Sequence, residues 1–97
     1  MSQRITQKDL ERIVLRINRA LNRPETPYGK DENGRFKANL GNFHISSAYV
    51  GVALEEIQTN GGGVRRVSVG GYEPKWALYA WCVGFLSGIE ITAEKGE

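Results

Sequence analysis

One stretch, YEPKWALYAWCVGFLSGIEI at residues 72–91, constrains the fold more than any other because it is the most apolar and aromatic part of the chain. Four of its apolar side chains recur at helical spacing and would form one stripe: Leu78, Cys82, Phe85 and Ile89. Glu73-Pro74 suits a first helical turn, and Gly88 is a typical end. We therefore predict a helix over residues 73–88, which a sheet, another helix or another molecule must cover.

Composition sets bounds on the class of protein. Ninety-seven residues make one domain, 1–97, and a net charge of +2 is too small to indicate nucleic-acid binding by itself. The single cysteine, Cys82, excludes an internal disulfide and a cysteine-based zinc site, so we expect no metal and no other cofactor. The N-terminus is polar, and Glu73, Lys75 and Glu90 interrupt the apolar stretch. We therefore expect no signal peptide, no membrane contact and a cytoplasmic location in a bacterial host cell.

The N-terminal part of the chain predicts an amphipathic helix over residues 7–22. Thr6 is a candidate N-cap, and Asp9 three positions later makes a variant of the capping box. Apolar residues then recur every three or four positions: Leu10, Ile13, Val14, Ile17 and Leu21. Asn22-Arg23-Pro24 ends the helix, because a residue before proline resists the helical conformation.

The middle of the chain predicts a sheet within residues 35–69. Residues 24–34 are rich in turn-forming residues and predict a loop with a tight turn at Asn33-Gly34. Apolar residues then alternate from Phe36 to Ile45 with a break at Gly41-Asn42, a pattern consistent with one strand or with two. The rest of the segment predicts a turn within 46–51 and a strand over 52–58. A glycine-rich reversal at 60–63 and a strand over 64–69 follow.

The predicted order is therefore helix, three strands, helix. Short connections favour an antiparallel meander, and the two apolar helix stripes are available to cover one of its faces. We predict an α+β fold of order α-β-β-β-α, in which a three-stranded antiparallel sheet has both helices packed on one face. Gly70-Gly71 would form the bend into the second helix, and residues 92–97 a frayed tail.

This order resembles the topology of the double-stranded-RNA-binding-domain fold. That family carries a lysine cluster at the start of its second helix, where this chain has Lys75 alone. Four segments, ITQKDLERIVLRIN, GNFHISSAYVGVAL, NGGGV and PKWALYAWCVGFLSGI, are similar to a group of small proteins encoded in bacteriophage and prophage genomes. The second resemblance implies an accessory protein that acts inside a bacterial host, and it carries over no catalytic residue.

A row of cations lies on the first predicted helix, on the face opposite its apolar stripe: Lys8, Arg12, Arg16, Arg19 and Arg23. Such a row suits nucleic-acid phosphates or an acidic protein partner, and it is equally consistent with a solvated helix face. Arg65-Arg66 on the third strand would add one cation to either side of the sheet, because neighbouring strand residues point to opposite faces.

Aromatic residues are dense on the second predicted helix, and a three-stranded sheet leaves part of that helix uncovered. We place a candidate protein interface at Lys75, Trp76 and Trp81, and we expect Trp81 to face away from the apolar stripe. The occupant would be another protein or a second copy in a homodimer. The alternative is full burial of these aromatic side chains.

The other polar residues predict neither a catalytic nor a metal site. His44 is the only histidine and should lie on the exposed face of its strand with Ser46, where no neighbouring acid completes a triad. The run Gly61-Gly62-Gly63 is typical of a hairpin loop with positive φ. Glu55 and Glu56 should point to opposite faces and act as solubilising edge charges.

These observations favour a non-catalytic binding module over an enzyme. We expect a small phage-type accessory protein that binds a host or phage protein. The first alternative is nucleic-acid binding by the cationic helix face, and the second is a self-associating structural protein. The salt dependence of affinity separates protein binding from nucleic-acid binding. A protein that neutralises phosphates releases their counterions, so its affinity for nucleic acid falls steeply as the salt concentration rises.

Overall fold

The computed structural model describes residues 4–68 and 71–95. Its elements are α1 (Gln7–Ala20), β1 (Tyr28–Lys30), β2 (Phe36–Ala38), β3 (Phe43–Ala48), β4 (Gly51–Ile57), β5 (Val64–Arg66) and α2 (Lys75–Lys95). The strands form two antiparallel sheets, the hairpin β1-β2 and the three-stranded sheet β3-β4-β5. The predicted α+β class and the three-stranded antiparallel sheet are confirmed.

Both helices cover the same face of the three-stranded sheet. The β3–β4 register places Ile45 opposite Leu54 and Phe43 opposite Glu56, so the side chains of these pairs share one face. The core joins that face to both helices through the following buried residues: Leu10, Ile13, Val14, Ile17, Phe43, Val52, Leu54, Leu78, Cys82 and Leu86. The predicted arrangement of two helices on one face is therefore confirmed.

Helix α1 begins as the sequence predicts and ends two residues earlier. The Thr6 hydroxyl accepts a hydrogen bond from the Asp9 N–H, and the Asp9 carboxylate accepts one from the Thr6 N–H, which completes the capping box. At the other end Asn22 takes a left-handed conformation, φ 59°, and the Arg23 N–H bonds the Asn18 carbonyl at 2.7 Å. A left-handed asparagine ends the helix before the proline is reached.

The β1-β2 hairpin is an addition to the predicted order, which becomes α-β-β-β-β-β-α. The segment 24–34, predicted as a loop, contains β1, and the alternation from Phe36 to Ile45 divides between two sheets. The predicted tight turn is present, because Gly34 has φ 78° and the Asp31 carboxylate accepts the Asn33 and Arg35 N–H groups. Strands of three residues are too short for alternation to reveal them.

Tight reversals connect the strands of the larger sheet. Tyr49, with φ 56°, lies in the turn from β3 to β4, and Gly62, with φ 97°, lies in the turn to β5. Strand β5 stops at Arg66, but Glu73 pairs with Val52 further along β4, so the ladder resumes after an interruption. Val69 and Gly70, predicted at the end of the third strand and in the following bend, lie outside the described residues.

Helix α2 is longer than the sequence predicts. It runs from Lys75 to Lys95, so Gly88 is not its end and residues 92–95 are helical rather than frayed; residues 96–97 lie outside the described part. Glycine ends a helix when it adopts the left-handed conformation, and Gly88 is not among the glycines with positive φ. Inside a helix a glycine costs about 1 kcal/mol relative to alanine, which packing of the preceding turns offsets.

Candidate functional site

Between Trp76 and Ala93, helix α2 presents a continuous exposed surface on which Glu90 is the one charged side chain. Within its window Lys75–Ala93, only 17% of the residues are buried, although the helix is apolar on all sides. The residues that point away from the core recur at helical spacing, and we call them the outward face: Trp76, Ala80, Val83, Gly84, Ser87, Gly88 and Ile91. An apolar helix normally has such a surface covered, so this face is the first candidate for an interaction.

The structure places the two tryptophans of the candidate interface in different environments. Trp76 is 68% exposed and lies at the start of the outward face, with Lys75 beside it. Trp81 is half-buried against the core, and its ring lies 5.0 Å from the Phe85 ring. The prediction that Trp81 faces away from the apolar stripe is wrong, because Trp81 lies one turn before Phe85 and packs against it at the flank of that stripe.

An apolar cleft borders the outward face where the end of α1 meets the C-terminal half of α2. Its volume is about 590 Å³, and its lining residues are Ala20, Leu21, Gly84, Phe85, Gly88, Ile89, Thr92 and Ala93. No carboxylate, ammonium or guanidinium group lies among those lining residues. The cleft therefore offers dispersion contacts and hydrophobic burial to an occupant, and no ionic group for chemistry.

Helix α2 is long enough and apolar enough to cross a membrane, judged by length and composition alone. Lys75 and Glu90, on which the expectation of no membrane contact partly rests, lie near the two ends of the helix and leave its middle apolar. The same helix contributes Leu78, Cys82 and Leu86 to the core shared with α1. Core helices of soluble proteins pass the same test, so the prediction of no membrane contact stays a prediction.

The cationic row on α1 is divided between free and paired side chains. Lys8, Arg12 and Arg16 are exposed, and within residues 4–68 and 71–95 none of them forms an ion pair. Arg19 pairs with Glu25 at 3.2 Å. Arg23 makes intramolecular contacts: it donates to the Glu56 carboxylate at 2.9 Å and lies over the Phe43 ring at 5.5 Å.

Glu56 forms a nearly buried ionic cluster on the helix-covered face of β4, and its side chain is 9% exposed. Its carboxylate accepts hydrogen bonds from Arg23 at 2.9 Å, Arg65 at 2.8 Å and the Gln58 amide at 2.9 Å. Burial alone would raise the pKa of Glu56, but the hydrogen bonds from Arg65 and Arg23 outweigh it and lower that pKa below its usual value. The prediction of an edge charge is wrong, because β4 is the central strand.

The opposite face of the sheet carries His44, whose Nε2 lies 3.4 Å from a Glu55 oxygen. The expectation that no acid neighbours His44 is wrong, because the strand register pairs these two residues. Ser46, on the same face, is hydrogen-bonded to the Tyr72 hydroxyl at 3.0 Å. Within the part of the chain that the structure describes, no group of three or more His, Cys, Asp or Glu side chains is placed to hold a metal ion.

Cys82 lies in the core, as its position on the apolar stripe predicts. Burial raises the pKa of its thiol to about 12. The thiolate is the nucleophilic form of cysteine, so this side chain is unreactive at neutral pH while the protein is folded.

Comparisons of the chain with protein-family models, with curated proteins and with solved structures each found no match. The resemblances to phage-encoded proteins and to the double-stranded-RNA-binding-domain fold therefore stay predictions.

Proposed function

We propose that this protein is a non-catalytic binding module that contacts another protein through the outward face of α2. One observation carries the proposal: an apolar helix of 21 residues in which less than a fifth of the window from Lys75 to Ala93 is buried. Removing apolar surface from water is favourable by about 25 cal/mol per Å². A partner that covers the outward face would therefore bind with a favourable hydrophobic contribution.

The composition of the outward face supports a protein partner. Trp76 supplies a large aromatic side chain at one end, and Ile91, 54% exposed, supplies an aliphatic one at the other. Glu90, which is exposed and lies two turns after Val83, stands at the edge of the face. An apolar centre with charges at its rim is the usual anatomy of a protein–protein interface, where tryptophan is enriched among the energetically dominant residues.

Site-specific photo-crosslinking in living bacterial cells tests this proposal. A photoreactive amino acid at Ser87, on the outward face, is expected to yield a discrete crosslinked product that contains this chain and one defined polypeptide. The same group at Ser47, an exposed serine on β3, is the matched control and should yield none. Absence of a product from Ser87, or identical products from both positions, would show that the outward face is not a protein contact.

Nucleic-acid binding is a second candidate, favoured by the three exposed cations of α1 that make no ion pair within the described residues. The triple variant Lys8→Glu, Arg12→Glu, Arg16→Glu should abolish binding to a DNA or RNA duplex, and the wild-type affinity should fall steeply with salt. The matched control reverses the exposed hairpin cations Lys30, Arg35 and Lys37. Electrophoretic mobility shifts that are equal for both triple variants would eliminate this candidate.

A further inference from the structure

We infer that a cleft between α1 and the edge of β3 binds a free α-amino acid with a cationic side chain, of the arginine or lysine class. The inference is independent of the outward face, because no residue of α2 lines this cleft. Three features of the molecule carry it: the position of the cleft on the strand edge, two main-chain groups that lack partners, and a carboxylate beside an apolar wall.

The cleft lies along the edge of β3 and not on a face of the sheet. Its volume is about 390 Å³, which falls within the range of about 300–1,000 Å³ that is typical of small-ligand sites. Three consecutive strand residues line it: Phe43, His44 and Ile45. Because neighbouring strand residues point their side chains to opposite faces, only the edge of the strand presents all three to one cleft. A ligand in the cleft therefore reaches the main chain of β3.

The main chain of Ile45 offers one donor and one acceptor that have no partner within the part of the chain that the structure describes. Ile45 lies opposite Leu54 on β4, but Leu54 directs its own main-chain groups away from β3. The Leu54 N–H donates to the Ser68 hydroxyl at 3.1 Å, and the Leu54 C=O accepts from the Val67 N–H at 2.8 Å. The Ile45 N–H and C=O therefore point outward from the sheet, where a ligand can bind them.

The cleft presents the free main-chain groups of one residue, which suits a ligand of one residue. On one side of Ile45, the Asn18 amide already binds both main-chain groups of Phe43. On the other side, the next outward residue, Ser47, does not line the cleft. A free amino acid matches the groups that remain: its carboxylate accepts from the Ile45 N–H, and its ammonium donates to the Ile45 C=O. Both hydrogen bonds are charge-assisted and are stronger than those of a neutral peptide group.

The rest of the lining selects a side chain with an apolar stem and a positive end. Val14 and Leu15 of α1 supply apolar surface. Glu11, one turn before Leu15, is exposed and forms no ion pair among the described residues. The other carboxylate of the lining, Glu25, is already paired with Arg19. No ammonium or guanidinium group belongs to the lining residues, so Glu11 is available to the cationic end of a ligand.

Titration of the full chain with L-arginine, followed by NMR of the backbone amides, is the first test. We expect the Ile45 amide signal to shift with a dissociation constant between about 0.1 and 3 mM, the range for a polar ligand of this size. The Ser47 amide is the internal control, because it lies on the same strand edge outside the cleft, and its signal should shift far less. An Ile45 signal that stays in place at about 10 mM arginine, or that moves only as far as that of Ser47, would overturn the inference.

L-Citrulline and the variant Glu11→Gln test the role of the carboxylate. Citrulline has the shape of arginine but a neutral urea group, so it should bind about tenfold more weakly. Glu11→Gln should weaken arginine binding by a similar factor and leave citrulline binding unchanged, with a circular dichroism spectrum like that of the parent. The matched control is Glu32→Gln, at the exposed turn of the hairpin, which should bind both ligands as the parent does. Equal affinities of the parent for arginine and citrulline would overturn the assignment of a cationic ligand.

Agmatine and a doubly blocked arginine test the contacts with Ile45. Agmatine is arginine without its carboxylate, so it should bind about tenfold more weakly, because the Ile45 N–H loses its acceptor. Arginine that is acetylated at the ammonium and amidated at the carboxyl group should also bind more weakly, since both charge-assisted bonds become neutral ones. Agmatine that binds as tightly as arginine would show that the cleft attracts only a cation. Tighter binding of the blocked arginine would make the occupant an extended polypeptide segment, and either result overturns the amino-acid assignment.

Discussion

Replacing Asn18 with leucine is expected to lower the free energy of unfolding by about 2–4 kcal/mol. Asn18 is a buried polar residue on the core side of α1, and its amide binds one residue of the edge strand β3 twice. The side-chain Nδ2 donates to the Phe43 carbonyl at 3.0 Å, and Oδ1 accepts from the Phe43 N–H at 2.9 Å.

The size of this effect follows from where the Phe43 backbone points. Along an antiparallel strand, successive residues direct their backbone groups alternately toward and away from the neighbouring strand. The Ile57 N–H bonds the Asn42 carbonyl, so the next residue, Phe43, directs its groups away from β4. Leucine fills the space of the amide but satisfies neither group, so a buried N–H and a buried C=O both lose their partners.

Urea-induced unfolding followed by circular dichroism measures the change. Asn39→Ala is the matched control, because the Asn39 amide also binds a backbone carbonyl, that of Thr26, but at an exposed position where water replaces it. We expect a loss of less than about 1 kcal/mol for the control. An Asn18→Leu protein as stable as the parent would show that the Phe43 backbone does not depend on this amide.

The sequence predicts those features whose causes lie close together along the chain. The α1 capping box needs only Thr6 and Asp9, and the turn at Gly34 needs only its own residues and the Asp31 carboxylate. Both are found as predicted. Helix α2 was predicted too short because Gly88 is equally compatible with a helix end and a helix interior, and the conformation that it adopts depends on packing.

The candidate site was predicted only in outline for the same reason. Periodicity indicates an apolar helix with an uncovered flank, but Trp81 does not belong to that flank, because it lies one turn before Phe85 and packs against its ring. The cluster of Glu56 with Arg23 joins residues 33 positions apart and depends on the strand order. A sequence pattern gives no distance between such residues, so it does not place the Glu56 carboxylate on a central strand.

Replacing Glu56 with glutamine is expected to destabilise the protein by about 2–3 kcal/mol at pH 7. Glutamine keeps the shape but removes the negative charge, so one of the two arginines then faces an amide N–H that cannot accept its hydrogen bond. Arg23 and Arg65 are partly exposed and regain some hydration, which holds the loss near the lower end of the range for broken buried ion pairs. The melting temperature of Glu56→Gln should fall by about 10–20 °C. The control is Glu25→Gln, at the exposed pair with Arg19, which should change the free energy of unfolding by less than about 0.5 kcal/mol.

The difference between the parent and Glu56→Gln should disappear in acid. The pKa of Glu56 is lowered in the folded protein from an ordinary value of 4.5. A carboxyl group with a lowered folded pKa contributes stability that is fully present above its unfolded pKa and is lost as pH falls through the folded pKa. The gap in unfolding free energy should therefore be constant above about pH 5 and narrow progressively below pH 4.5.

Asp9, whose pKa is also lowered, affects the stability of both proteins equally and so cancels from the difference. Urea titrations across this range would contradict the assignment if the gap persisted unchanged below the folded pKa of Glu56, because its charge would then not be what binds the two arginines.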